Sequence, residues 1–237
     1  DLIVPINRVK LHTDFVGPIQ SGLCKMLVIG LGNHKGCSAV HEEAPEVFAD
    51  AIEETARLIL QKAPVGFGIA ILENAYDKTY AVEAVPAEHL VEREKELVQI
   101  AKGNMPYIML DEADVIVCGA IGKDISGAGF DPNILGRSSV LKQFVLHIPR
   151  YQRLVLCDVT PASHGNGIGV GLFDVITKKV AEQLDLESMY ANAIACNCLG
   201  DASVPCTVDD EETAIRVALK CCRNIDRDHP RIIRIQN

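Results

Sequence analysis

The sequence predicts an α/β protein with mainly parallel sheets flanked by helices, divided into two sub-domains. Three observations carry that expectation. The runs Val115-Ile116-Val117 and Leu154-Val155-Leu156 are continuously apolar, as strands buried on both faces are. Between and around such runs, longer segments repeat apolar residues at helical spacing. The composition shifts at Gly103-Asn104-Met105-Pro106, which places a soft boundary near residue 105 and yields portions 1–105 and 106–237.

In order, Leu2 to Val9 reads as a strand and Lys10 to Gln20 as a loop turning at Gly17-Pro18. Ser21 is placed to cap a helix holding Lys25, Met26, Leu27 and Ile29, with Gly30 and Gly32 as its stop. Ala44-Pro45 opens an amphipathic helix to about Lys62, with Val47, Ile52, Ala56, Ile59 and Leu60 as its stripe and Glu46, Glu53 and Glu54 towards its start. Val65 to Leu72 and Thr79 to Val85 read as two strands joined through Asn74-Ala75-Tyr76-Asp77, and Glu88 to Lys102 as a charged helix. Beyond the boundary come the Val115 strand, a glycine-rich stretch from Gly119 to Gly136 and the Leu154 strand. A helix from about Val170 to Leu184 and another from about Asp210 to Cys222 follow. Arg231 to Ile235 alternates as a last strand, and this C-terminal helix and strand are expected to return towards the first portion. Asp1 leads directly into an apolar run and the final strand has no tail, so the chain is expected to be truncated at both ends.

Composition removes several classes of function. Of 237 residues, 48% are hydrophobic and 23% charged, the balance of a globular chain. A net charge of −9, spread along the chain, repels a phosphate backbone, so no nucleic-acid partner is expected. The densest basic stretch, Arg216 to Arg234, is interrupted by Asp226 and Asp228 and reads as a solvated helix end. Nine cysteines occur without any CxxC; Cys196 and Cys198 form a CxC and Cys221 and Cys222 are adjacent, which suits free thiols in a reducing compartment. With no leader and no run long enough to span a bilayer, a cytoplasmic protein with no membrane partner is expected.

The densest chemical signal is Asn7-Arg8-Val9-Lys10-Leu11-His12-Thr13-Asp14-Phe15, followed by Ser21-Gly22-Leu23-Cys24-Lys25-Met26 and then His34 and His41. It follows a strand, and strand ends are where α/β folds gather ligands. His12 suits proton transfer near neutrality. Lys25 lies between apolar patches, where desolvation favours the neutral, nucleophilic amine. Taken singly, each has a plainer role: a hydrogen-bonded loop histidine, or a lysine snorkelling from a helix. His34 and His41 are seven apart, unlike the i, i+4 pair of a helical zinc site. Gly119, Gly122, Gly127, Gly129 and Gly136 match neither the dinucleotide fingerprint nor a P-loop and read first as turn formers, with the holding of a carboxylate by backbone N–H groups as a second use. His164, in Ser163-His164-Gly165-Asn166, reads as a local hydrogen-bonding residue.

The run from Asn7 to Phe15, with Ser21-Gly22-Leu23-Cys24-Lys25-Met26-Leu27-Val28-Ile29-Gly30-Leu31-Gly32, closely resembles the lactate racemase-like family of nickel-pincer enzymes. Gly122-Lys123-Asp124-Ile125-Ser126-Gly127, Asp131-Pro132-Asn133 with Gly136-Arg137, and Ser163-His164-Gly165-Asn166 resemble further blocks of it, so the likeness covers the whole chain. The resemblance implies an isomerase, a racemase or epimerase of a small 2-hydroxy acid. Its cofactor would be the nickel pincer nucleotide, a pyridinium dithioacid mononucleotide carrying nickel, attached to Lys25 in the cofactor-bearing portion 1–105. His41 would ligate the metal, with His34 as the weaker match, and His12 would take the proton of the substrate hydroxyl. Lys123 and Arg137 are both candidates for the substrate carboxylate. The family's amino-terminal half, with a second histidine and an arginine, has no counterpart in this chain. A missing N-terminal segment, or a second copy of the chain, is therefore an expected partner, and this portion is expected to be inactive alone. The alternative is a non-catalytic metal- or anion-binding protein that keeps the fold.

Overall fold

A computed structural model describes residues 1–33 and 44–236 of the chain. It is an α/β protein that divides into two compact units, Asp1–Pro106 and Tyr107–Asn237.

In the first unit, β1 (Ile6–Arg8) leads through a loop to α1 (Leu23–Lys25), which widens into a π-helical turn over Met26–Gly30. α2 (Phe48–Lys62), β2 (Phe67–Glu73), β3 (Thr79–Pro86) and α3 (Leu90–Asn104) follow. β1 pairs parallel with β2, and β2 pairs antiparallel with β3, giving a three-stranded sheet in the order β1-β2-β3. Its covered side carries Gly68, Ala70, Leu72 and Val85, and the buried Leu23, Ile52, Leu90 and Leu97 come from the helices. Each such large side chain contributes about 1.5–3 kcal/mol by leaving water.

Four local expectations for this unit change. The first strand is only Ile6–Arg8, because Pro5 interrupts the run; Ile3 makes just an isolated bridge to Val65. Ser21 does not cap α1: its backbone is committed to a two-way bridge with Lys10, at 2.8 and 3.2 Å, and Gly22 holds the cap position. Gly30 and Gly32 do not stop the helix. The buried Leu27 and Val28 hold it down while the Leu31 N–H reaches back to the Met26 carbonyl, and helical geometry runs on to residue 33. In α2 the buried stripe is Phe48, Ala49, Ile52 and Ala56, whereas Val47 is exposed, because Pro45–Val47 forms a 3-10 turn that shifts the helical phase.

The second unit contains β4 (Val115–Cys118), the short α4 (Pro132–Leu135), β5 (Arg153–Leu156), β6 (Val175–Thr177) and α5 (Lys178–Gln183). α6 (Leu186–Ala195), β7 (Cys206–Val208), α7 (Glu211–Lys220) and β8 (Ile232–Ile235) complete it. The strands form an entirely parallel sheet in the order β7-β6-β5-β4-β8. β8 pairs with β4, so the last helix and strand close this unit's own sheet. Ile116, Cys118, Leu154, Leu156 and Ile176 face one core, and Val115, Val117, Val155 and Val175 face the other. α7 covers the second face with Ala214 and Ala218, whose small side chains allow close approach.

The expected helix from Val170 to Leu184 is three elements. Gly169, at φ 93°, opens a single 3-10 turn over Val170–Leu172. Val175-Ile176-Thr177 is buried on both sides and becomes β6, and only Lys178–Gln183 is helical, capped by the Thr177 hydroxyl. Asp185 caps α6 by accepting from the N–H groups of Glu187 and Ser188, and Asp210 caps α7 through Thr213 at 2.7 Å. No helix among the described residues is long and apolar enough to cross a membrane.

Candidate functional site

The loop from Lys10 to Ser21 is a closed structure. Its neck is the Lys10–Ser21 bridge, and its buried residues are Leu11, Phe15 and Ile19. Gln20, itself buried, ties the interior: its Oε1 accepts from the His12 N–H at 2.7 Å and its Nε2 donates to the Gly17 carbonyl at 3.1 Å. Asn7 Nδ2 donates to the Gly22 carbonyl at 3.0 Å, which fixes β1 to the start of α1. The His12 ring stacks on Phe15 with centroids 4.3 Å apart, and Phe15 meets Phe48 edge-on at 5.5 Å. The imidazole is thereby set before any ligand arrives.

Lys25 is the last residue of α1, at the entry to the π turn. Its Nζ lies 2.8 Å from His12 Nε2, so the two residues singled out in the sequence meet. Two contacts bear on the tautomer of the ring. His12 Nδ1 accepts from the Asp14 N–H at 3.1 Å and so carries no proton. A neutral ring with that bond holds its proton on Nε2, facing Lys25, and the contact is then a donation to the amine lone pair. Neutral imidazole donating to neutral amine is the arrangement that keeps both contacts. In that arrangement the Lys25 amine offers its lone pair to the imidazole. The Asp14 carboxylate, 3.9 Å from Nδ1, favours any state in which a proton moves to that nitrogen.

What holds α1 in place was not read from the sequence. Glu94, on α3, is fully buried, and its Oε2 accepts from the Cys24 N–H at 2.8 Å. A carboxylate from a neighbouring helix therefore satisfies the N-terminus that delivers Lys25. Its other oxygen, Oε1, is buried without a hydrogen-bond partner. Burial pushes the carboxyl up to about 7, against the bonds from Cys24 and Leu23. Gly22 leaves room for this carboxylate, since a Cβ there would stand 2.5 Å from Oε1 and the Glu94 side chain would have to shift. Burial and the neighbouring Glu94 also raise the Cys24 thiol far above its ordinary value, so Cys24 is inert.

Arg8 is paired with Glu73 at 3.0 Å, which cancels much of its field. His34 and His41 lie outside the described residues. Among the described residues, no group of three or more histidine, cysteine or acidic side chains is placed to hold a metal.

Lys123 and Arg137 belong to the second unit and occupy opposite ends of its strands. Lys123 follows β4, at the carboxyl edge of the sheet. Its N–H donates to Ser163 Oγ at 2.8 Å, and its Nζ donates to the Gly127 carbonyl at 2.6 Å and to Asn192 Oδ1 at 2.8 Å. Ser163 Oγ is also 2.9 Å from Thr160 Oγ1, which bonds Asp124. Gly122 is needed at this junction because a Cβ would collide with Thr160, Asp124 and Ser163. His164, with a left-handed φ of 49°, follows the same turn. Arg137 instead meets Asp174, which directly precedes β6, at 2.7 Å. It donates to the Leu172 carbonyl at 2.8 Å and lies 5.3 Å over the Tyr151 ring. Its guanidinium is spent on joining the amino ends of the strands.

Comparisons with protein families, with curated proteins and with solved structures return no match for this chain.

Proposed function

We propose that the chain carries the cofactor-attachment and substrate-facing parts of a racemase or epimerase of a 2-hydroxy acid, working by hydride transfer to and from a lysine-tethered nickel pincer nucleotide. The observation that carries this reading is the 2.8 Å contact between Lys25 Nζ and His12 Nε2. The resemblance of residues 7–32 assigns these two residues the tether and the base. A neutral, positioned amine is the chemistry a tether requires, so this part of the donor set fits the group. His41 would supply the metal ligand, since neutral imidazole suits nickel. When bound, the group supplies a hydride acceptor that can return hydrogen to either face of the substrate carbon.

The remaining steps belong to the chain's own residues. Acylating Lys25 turns its nitrogen from an acceptor into an N–H donor. With the ring proton on Nδ1, towards the Asp14 carboxylate and in place of the bond from the Asp14 N–H, and with the acylated nitrogen turned away, the freed Nε2 lone pair would be the base for the substrate hydroxyl. Of the two carboxylate-binding candidates we favour Lys123, whose donors meet only a carbonyl and a neutral amide and no carboxylate. Arg137 is committed to Asp174. The substrate is a small hydroxy acid, and the second histidine and arginine come from an N-terminal segment or a second copy. The eight described cysteines are all free thiols, which fits a cytoplasmic protein.

The test is intact-mass and metal analysis of full-length protein produced alongside a cofactor-making pathway, with peptide mapping around Lys25. A covalent adduct on Lys25 with about one nickel per chain is expected, and Lys25→Ala should lose adduct, nickel and racemisation together. An unmodified Lys25, under conditions that load a known family member, would overturn the reading in favour of a binding protein that keeps the fold.

A further inference from the structure

We infer that the second unit holds an anion-binding site at the end of α7, built for a small phosphorylated molecule and separate from the residues assigned above. An open surface depression of about 650 Å³ is lined by Arg153, Lys220, Cys221, Cys222, Arg223, Asn224 and Arg227, most of them exposed. Four of these seven residues are cationic and none is acidic, in a chain whose net charge is −9.

The wall is fixed by its own hydrogen bonds. Gln152 clamps the backbone of Arg223 from both sides, its Nε2 donating to the carbonyl and its Oε1 accepting from the N–H, each at 2.8 Å. The buried Cys222 thiol donates to the Asp114 carbonyl, and Asn224 takes a left-handed φ of 54° that turns the chain back. Arg153 donates to the Cys221 carbonyl at 3.0 Å, and Arg227 to those of Leu219 and Cys222 at 3.1 and 3.2 Å.

Those last bonds offer a plainer account, in which the arginines only close the helix C-terminus. Capping explains Arg153 and Arg227 but not Lys220 and Arg223, whose side-chain cations meet no carboxylate or carbonyl among the described residues. Of the nearby carboxylates, Asp226 pairs with His229 at 3.2 Å and accepts from the Asp228 and His229 N–H groups, and Asp228 is exposed to solvent. Asp174 is 3.7 Å from Arg153 but pairs more closely with Arg137, at 2.7 Å, and Asp114 is held by Arg231 at 2.9 Å. The carbonyl ends of one helix amount to about half a negative charge and Asp174 offsets part of Arg153, which leaves Lys220, Arg223 and Arg227 as the uncompensated cations. Such a depression attracts an anion, and guanidinium forks match phosphate oxygens in pairs.

Pyrophosphate is the probe, titrated by calorimetry against the whole chain at low ionic strength. One saturable site is expected, weakening as salt is raised. Lys220→Ala with Arg223→Ala should weaken binding at least tenfold with an unchanged melting temperature before ligand is added, because neither side chain holds the fold. Arg223→Glu should abolish it. Adding Lys25→Ala should leave it untouched, which separates this site from the proposed reaction. No binding at millimolar pyrophosphate, or equal affinity in the double variant, would overturn the inference and leave the cluster as a helix cap.

Discussion

The two sheets of this protein are covered differently. In the five-stranded parallel sheet, successive residues of β4 and β5 enter two separate cores, and Ile116, Val117, Leu154 and Val155 are all fully buried. In the three-stranded sheet only one side is covered. Its other side leaves Ile6 54%, Tyr80 59% and Val82 62% exposed. The contrast separates two ways of making a site rigid. The second unit presents Lys123 and Ser163 from the ends of strands locked by packing on both faces. The first unit presents His12 and Lys25 from a loop and one helical turn, and it fixes them with Gln20, Asn7 and the buried Glu94. Packing should therefore dominate mutational sensitivity in one unit and polar anchoring in the other.

The largest effect tests the packed side. Leu154→Ala removes a fully buried side chain from the middle of β5, where strands on both sides prevent collapse of the hole. It should cost near the top of about 2–5 kcal/mol in urea unfolding. A loss below about 1 kcal/mol would mean that this sheet is not the rigid framework described.

The same contrast explains what could be read in advance. The parallel sheet was legible because burial on both faces writes continuous apolar runs, as at Val115 and Leu154. β6 escaped because Val175-Ile176-Thr177 is three residues long and sits between helix-compatible stretches. The meeting of His12 with Lys25 could not come from spacing, since they lie thirteen positions apart, across the closed loop and the start of α1. Glu94 was hidden among Glu92, Arg93, Lys95 and Glu96, which all read as a charged face. Its one signal was phase: Leu90, Leu97, Val98 and Ala101 set the buried stripe of α3, and position 94 falls on it. The stop signals at Gly30 and Gly32 failed because the burial of Leu27 and Val28 outweighs the helix propensity of one or two glycines.

Glu94 gives the next effect, and the sign is set by its raised titration. The folded carboxyl titrates at about 7 and an unfolded glutamate near 4.5. Between those values the folded chain holds the extra proton, so stability falls as pH rises through this window and levels off above about 7. The loss is on the order of 3 kcal/mol. Glu94→Gln should remove that slope while keeping an acceptor for the Cys24 N–H. Urea midpoints of the two proteins at pH 5 and pH 8 give the difference, and parallel pH dependences would show that Glu94 is not the buried acid proposed. The variant also reads out the site: amine labelling of Lys25 should become less pH-dependent if α1 is held by this carboxylate.

The smallest effect tests the open side. Val82 sits on β3, which has a partner on one side only, and more than half of its surface meets solvent. Val82→Thr keeps the β-branched shape and the strand preference and changes only a methyl into a hydroxyl that water can reach. Its cost should stay below about 0.5 kcal/mol, as for surface substitutions away from special features. Thermal melts at several protein concentrations make the measurement decisive. A small, concentration-independent shift means that the face is solvated as described. A loss above about 1 kcal/mol that grows with protein concentration means that the hydroxyl is being buried against another surface in solution, because only a side chain removed from water is penalised in that way.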